Sequence, residues 1–456
     1  MLESIPIPGP PALPLIGNLR DIDLNNTVQS CVSLAKTCGP IFKLYLGGSE
    51  RTFIAEHELA NEVLSRKDFV KKITGTTEHL AKLIPQGILT ANRGQESWGL
   101  TRRTLNPAFT KASVKDMFPE VLDIASQLVL KWARFGPSEP FDLQEDFTRL
   151  TMDTIALCAM GARLNSFYRD SLHPFVQTFG QVFEELQRRS NRPEWYTSLI
   201  WEANKQHDEN VGFIRTFCGD LVNRRKAKPT EKNDIFNALL KRRDPVTTPH
   251  QACYHLSLPT SSGTHPRMKK VQEEVDRVLG RAIITPDHVD QLHYVRACLR
   301  ETLRLEPPSP ALVLMPQAKG QGQVSIGGKY LIQDAQTTVV LIPSLHRDPD
   351  TFGPDADESK PERMLDHNLK KLPRNAFKPF GNGTRSCIGT QFALQQATVA
   401  IALPFQKFDF KFVDPDYEIQ YLPSLHRKAK DLRVYATLRS GVDSMTLHRD
   451  LFSPAP

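Results

Sequence analysis

The chain reads as mainly α with small β-sheets, and three observations predict it. Apolar residues recur at three- and four-residue intervals through the middle of the sequence, two shorter stretches alternate instead, and Gly- or Pro-containing turn pairs punctuate those stretches. In order, MLESIPIPGPPALPLIGNL carries prolines at 6, 8, 10, 11 and 14, so residues 1–20 form a proline-rich lead-in that encodes no signal peptide and no transmembrane anchor. IFKLYLGG and RTFIAE then predict two short strands about a Gly-Gly turn, and ELANEVLSR starts a helix. From 114 onward Met117, Val121, Ile124, Leu128, Trp132 and Phe135 mark one amphipathic helix. Leu143, Phe147, Leu150 and Leu157 mark the next. Helical periodicity persists over 209–243 and 266–305, whereas 323–342 and 408–439 alternate around turns such as Gly327-Gly328 and Asp414-Pro415. No repeat of 20–50 residues is visible. The expectation is one domain over 1–456, with SPAP at 453–456 as either the start of a linker or a frayed end.

Composition supports a globular chain. Of 456 residues, 40% are hydrophobic and 24% charged, and Gly 25 with Pro 34 falls short of the share that marks disorder. The net charge of +7 is dilute on a surface of this size, so no nucleic-acid partner is expected. Seven cysteines, at 31, 38, 158, 218, 253, 298 and 387, show no CxxC pair. They read as reduced, intracellular thiols, with Cys158 in TIALCAM behaving as a small hydrophobe.

The chemistry concentrates in Phe380-Gly-Asn-Gly-Thr-Arg-Ser-Cys-Ile-Gly389, followed by a helical pattern (Phe392, Val399, Leu403) that Pro404 is expected to close. A cysteine just before a helix N-terminus meets free N–H groups and the positive end of the dipole, which favour its thiolate. Nearby glycines such as Gly383 and Gly389 let the backbone approach a flat ligand closely. Arg385 suits a carboxylate, and the ring of Phe380 can shield the Cys387 sulfur from water. A haem supplies both the carboxylates and an iron.

At this loop the sequence resembles the cytochrome P-450 haem-thiolate family, whose haem-ligand segment is this ten-residue pattern. The similarity runs from PGPPALPLIGN to LRVYATLR and is strongest in NAFKPFGNGTRSCIGTQFAL and LIPSLHRDP. It is greatest towards the soluble fatty-acid hydroxylases of bacteria and fungi whose haem domain is fused to a flavoprotein reductase. The resemblance implies haem (heme b, iron protoporphyrin IX) with Cys387 as its metal ligand. Glu301 and Arg304, three apart on one helical face, would join Arg363 of Lys-Pro-Glu-Arg in a buried triad beside the haem. Trp98 and Arg102, four apart on a helix, would contact haem propionates together with Arg385. Leu89, Ser309 and Ala311 would line the substrate pocket.

Two departures from the family pattern stand out. The arginine and tyrosine that take a fatty-acid carboxylate in those hydroxylases are Ser49 and Phe53 here, with Arg51 between them as the residue that compensates if the substrate is an acid. The oxygen-activating helix is also shortened: TSSGT at 260–264 resembles the family's T-T-S-G-T segment, so Thr260 is the expected proton-relay residue and Pro259 stands where an acid normally does. About twenty residues around it are missing, roughly 30 Å of helix at 1.5 Å per residue.

The resemblance implies a monooxygenase that uses O2 on a lipophilic substrate, with electrons from NADPH through a separate FAD/FMN flavoprotein reductase, since no dinucleotide loop or reductase domain is read in the chain. Lys370, Lys371, Arg374, Lys378 and Lys407 offer that reductase a basic docking face. The expected location is cytoplasmic, with peripheral membrane attachment the other option. Two alternatives stay open: a haem-binding relative or damaged-gene product impaired in oxygen activation, and a haem-thiolate isomerase or dehydratase that needs neither reductase nor relay.

Overall fold

The computed structural model describes residues 5–23, 26–91, 96–232, 234–240, 265–317, 322–417, 421–422, 428–442 and 447. It divides the chain into two compact units, one of residues 1–78, 90–95 and 300–387 and the other of 79–89, 96–299 and 388–456.

The first unit is organised by a five-stranded sheet in the order Ile41–Leu46, Ser49–Ile54, Thr337–Leu341, Ala311–Pro316, Phe69–Lys71. Gly47 and Gly48, with φ of 59° and 75°, close the first hairpin, because a two-residue turn of this hand needs positive φ at both positions. Phe42 pairs with Phe53 across it, and their rings stack at 5.1 Å. The Thr337–Leu341 strand, TTVVL, is buried along its whole length, as expected of a strand covered on both faces. It lies parallel to Ser49–Ile54, with Arg51 opposite Thr337. Gly327 and Gly328 turn the small hairpin of Gln323–Ile326 with Tyr330–Gln333, as the alternation predicts.

The second unit is helical around Trp132. Helix Leu143–Met160 starts where the Asp142 carboxylate accepts the Gln144 N–H at 2.7 Å and ends at Gly161, whose φ of 63° gives a left-handed cap. Trp132 stacks on Phe141 at 4.8 Å and donates its indole N–H to Asp146 Oδ2 at 2.7 Å, while Lys131 also bonds that carboxylate. Burial pushes the Asp146 carboxyl up, and Lys131 opposes it. Trp132→Phe is therefore expected to lower stability by about 1–3 kcal/mol, because it leaves a buried acceptor short of a donor. Denaturant unfolding of the two proteins measures this.

Three expectations are refined. The helix expected from 114 is two, Lys111–Asp116 and Phe118–Phe135, because Pro119 lacks an N–H and starts a new helix in its first turn. Periodicity over 209–243 resolves into Trp201–Ala227, beginning earlier, and Ile235–Leu240, with Lys228-Pro229 as the break. Pro404 does not close the helix after Cys387: Thr390–Lys407 runs through it, since a proline this near the C-terminus costs one backbone bond while its buried face stays packed.

Candidate functional site

The Cys387 loop is shaped by two glycines. Gly381 and Gly383 have φ of 80° and 61°, left-handed conformations that L side chains resist, and Gly383 opens a 3₁₀ turn through Arg385. The Cys387 N–H donates to Phe380 O at 2.8 Å, which closes the loop, and the Ser386 N–H donates to Gly383 O at 3.1 Å. Phe380, Arg385 and Cys387 are half-buried and Gly383 is exposed. Three residues after the cysteine, helix Thr390–Lys407 begins, with Gly389 as its N-cap residue.

Arg385 has a neighbour that the sequence reading missed. Lys71, at the end of strand Phe69–Lys71, has its amine pushed down to about 8, first by burial and then by the charge of Arg385. A lysine after the apolar Phe69-Val70 is the only local hint, and it says nothing of a partner more than three hundred residues away. Arg385 of the cysteine loop and Lys71 thus lie within electrostatic reach of each other, two cationic groups to which an anionic group would be attracted. A sulfur donor, two glycines that keep the backbone bare and these two cationic groups fit a flat group carrying both a metal and carboxylates, so the residues present suit a haem.

Glu301, Arg304 and Arg363 are brought together in the same unit. Helix His293–Leu305 presents Glu301 and Arg304 on one face, and the pair is bidentate: Arg304 Nε to Glu301 Oε2 and Arg304 Nη2 to Glu301 Oε1, both 2.8 Å. Arg304 is fully buried and also donates to His346 O at 2.8 Å, Ala356 O at 2.6 Å and Glu358 O at 3.0 Å. Arg363 lies 3.6 Å from Glu301 and bonds Asp355 at 2.7 Å. Lys360 and then Arg363 hold the Asp355 carboxyl down to about 2. The Lys360 N–H completes the corner by donating to Glu301 Oε1 at 2.7 Å.

His346 is the second residue that the reading passed over. It is fully buried, with Nδ1 3.1 Å from Arg304 O and Nε2 accepting the Lys378 N–H at 2.8 Å. Burial is the main cause pushing the imidazole down to about 3, with Arg304 and Arg347 adding to it. His173 and His207 are also pushed down by burial. An imidazole neutral when folded and protonated when unfolded gives stability that is complete above about 6.5 and lost as pH falls towards 3. Between pH 6 and 5, His346→Gln is expected to flatten the pH dependence of unfolding by about 1.4 kcal/mol per pH unit, checked by denaturant titrations at each pH.

The remaining predicted residues are placed as follows. Arg51 lies half-buried on strand Ser49–Ile54; burial lowers its pKa, while the Cys31 thiol and Glu78 act in the other direction. Ser309 is exposed, and Ala311 opens strand Ala311–Pro316. Trp98 and Arg102, both half-buried, share helix Glu96–Leu105 in the other unit, where Leu89 packs against a cluster that includes Leu80, Ile84 and Phe175. Thr260 and Pro259 fall outside the described residues, as does the whole interval 241–264. Lys407 corrects the docking expectation: it is buried, because the helix that carries it continues past Pro404 into the core. Lys370, Lys371 and Arg374 are exposed.

The chain belongs to the cytochrome P450 family: the family pattern, described as Cytochrome P450, matches residues 7–255 and 264–431. It is similar to a bifunctional cytochrome P450/NADPH–P450 reductase of Aspergillus oryzae, at 41% identity over 98% of this chain and 42% of that protein. It is 39% identical to a self-sufficient cytochrome P450 monooxygenase of Exserohilum turcicum, over 96% of this chain and 42% of that one. A bifunctional cytochrome P450/NADPH–P450 reductase of Acremonium egyptiacum is also 39% identical, over 97% of this chain and 44% of its own length. The chain thus spans less than half the length of these relatives. Among the described residues, no helix is long and apolar enough to cross a membrane.

Proposed function

We propose that the chain is a single haem-binding domain of a haem-thiolate monooxygenase acting on a lipophilic substrate, with a fatty acid as the first candidate. The balance is one substrate C–H, one O2, one NADPH and one proton giving the alcohol, water and NADP+. The Cys387 loop, closed by its bond to Phe380 O and bare at Gly381 and Gly383, is the observation that carries this reading. When bound, haem supplies the iron at which O2 is reduced and activated. Cys387 would ligate that iron, Arg385 and Lys71 would hold carboxylates, and Phe380 would shield the sulfur from water. Trp98 and Arg102 are proposed for the propionates, Thr260 for delivering protons, and Leu89, Ser309 and Ala311 for the apolar pocket.

Electrons would come from NADPH through FAD and FMN of a flavoprotein reductase, in keeping with relatives named as P450/NADPH–P450 reductases. Exposed Lys370, Lys371 and Arg374 provide a basic surface for an acidic partner. We place the protein in the cytoplasm, with peripheral membrane attachment as the other option. The Cys31, Cys158 and Cys218 thiols agree with a reducing compartment.

Arg51 is proposed to take the substrate carboxylate. A charge-assisted bond of about 1.5–3 kcal/mol predicts that Arg51→Ala raises KM for a fatty acid roughly 10–100-fold while leaving a neutral alcohol of equal length unaffected. Equal KM changes for both substrates would remove Arg51 from this role.

A second reading is favoured by one observation: the family match pauses over 256–263, within the interval where the sequence predicts a shortened oxygen-activating helix. In that reading the protein binds haem but activates oxygen poorly. Sequencing the transcript across 244–270 tests whether the shortening is real. The ratio of NADPH consumed to alcohol formed, with reductase supplied, then separates the two readings: near unity for the monooxygenase, and far above it, with peroxide released, for the impaired form.

A further inference from the structure

We propose that His346 is a positioning residue for the Cys387 loop: its imidazole pins the backbone at Lys378 to the buried Glu301–Arg304 corner, and so fixes where the loop begins. This rests on the reading of Cys387 as the iron ligand. The geometry is a two-sided clamp. Arg304 Nη1 donates to His346 O at 2.8 Å, and His346 Nδ1 in turn lies 3.1 Å from Arg304 O. The far side of the ring takes the Lys378 N–H at 2.8 Å, while Phe377 lies against it at 5.2 Å between ring centroids.

These partners leave one tautomer. Nε2 faces a backbone donor and must be the acceptor, so Nδ1 carries the hydrogen and donates to Arg304 O. The Lys378 bond does not survive in an imidazolium, because Nε2 would then turn a hydrogen of its own towards the Lys378 N–H, whereas Nδ1 would go on donating to Arg304 O. Burial, with no carboxylate among the groups that act on the ring, keeps it neutral; the charges facing it are Arg304 and Arg347.

From Lys378 the connection to the cysteine is short. The Gly381 N–H donates to Lys378 O at 3.2 Å, and the Cys387 N–H donates to Phe380 O at 2.8 Å. Each bond fixes backbone rather than a mobile side-chain tip. A shift at Lys378 therefore moves Phe380 O and the amide of Cys387 with it. Cys387 would hold the haem iron only with its sulfur correctly presented, so a loop displaced by a fraction of an ångström would change the ligation before it changes the fold.

The test uses the full chain, loaded with haem, as His346→Gln and His346→Asn. Glutamine places an amide oxygen near Nε2 and keeps the acceptor for the Lys378 N–H. Asparagine reaches only the Arg304 side and loses that acceptor. Two readouts are taken: the carbon-monoxide spectrum of the ferrous protein, which reports thiolate ligation, and hydrogen exchange at the Lys378 amide. In the asparagine variant, exchange is expected to speed up roughly tenfold, the equivalent of one lost hydrogen bond, and most of the thiolate-type spectrum to be lost. The glutamine variant should stay close to wild type in both.

Asparagine and glutamine variants with equal, wild-type spectra overturn the positioning role alone. A wild-type protein that never shows a thiolate-type spectrum overturns the reading of Cys387, and the positioning role with it. If the asparagine variant does not fold, the glutamine variant decides. Wild-type spectrum and protection uphold the role, and a lost spectrum with the Lys378 amide still protected overturns it.

Discussion

Cys387→Ala is expected to abolish the thiolate-type carbon-monoxide spectrum and oxygenase turnover together, while leaving the fold intact. The side chain is half-buried and the loop is held by backbone bonds, Cys387 N–H to Phe380 O and Ser386 N–H to Gly383 O, which alanine preserves. Truncation to a methyl group at such a position removes little packing, so stability should change by less than about 1 kcal/mol in the haem-free protein. Ligation cannot be inherited by a neighbour, since the ligand must be a donor at that point of the loop. Serine makes the sharper comparison: it keeps the size and a hydrogen-bonding atom, yet it is a poor anion at neutral pH and should give a non-thiolate spectrum. A thiolate-type band in Cys387→Ala would end the haem-thiolate reading.

The second large effect is on stability. Arg304→Met is expected to cost about 3–5 kcal/mol, because it strands the buried Glu301 carboxylate. Domain stabilities are commonly about 5–15 kcal/mol, so much of the protein should become insoluble or unfolded at 37 °C. Pairing the change with Glu301→Met removes the uncompensated charge and should recover only part of the loss. Arg304 also serves the carbonyls of His346, Ala356 and Glu358, and Glu301 accepts the Lys360 N–H, so the double variant leaves four further backbone groups unsatisfied. Urea unfolding of the two single variants and the double variant closes a mutant cycle. Full recovery in the double variant would show that the carbonyl bonds carry little.

What the sequence disclosed follows from range. Strands Ile41–Leu46 and Ser49–Ile54, their Gly-Gly turn and helix Leu143–Met160 were legible because their periodicity and punctuation act within a few residues. The Glu301–Arg304 pairing was legible as one helical face, and its meeting with Arg363 came from the family pattern rather than from spacing. Lys71 and His346 were not legible, since each is defined by a partner brought up by tertiary structure: Arg385 for one, Lys378 and Arg304 for the other. Pro404 and Lys407 misled because local rules treat a proline as a stop and a lysine as exposed, whereas the packing of helix Thr390–Lys407 overrode both.

The buried Thr337–Leu341 strand has a consequence for biosynthesis. It sits between Ser49–Ile54 and Ala311–Pro316, so a long stretch of chain is synthesised between the first of these neighbours and the strand itself. Until it emerges, the edge of Ser49–Ile54 stays open to pairing with other nascent chains, and only a slow, long-range search closes it. Yield in a heterologous host should therefore respond to lower growth temperature and to chaperone supply.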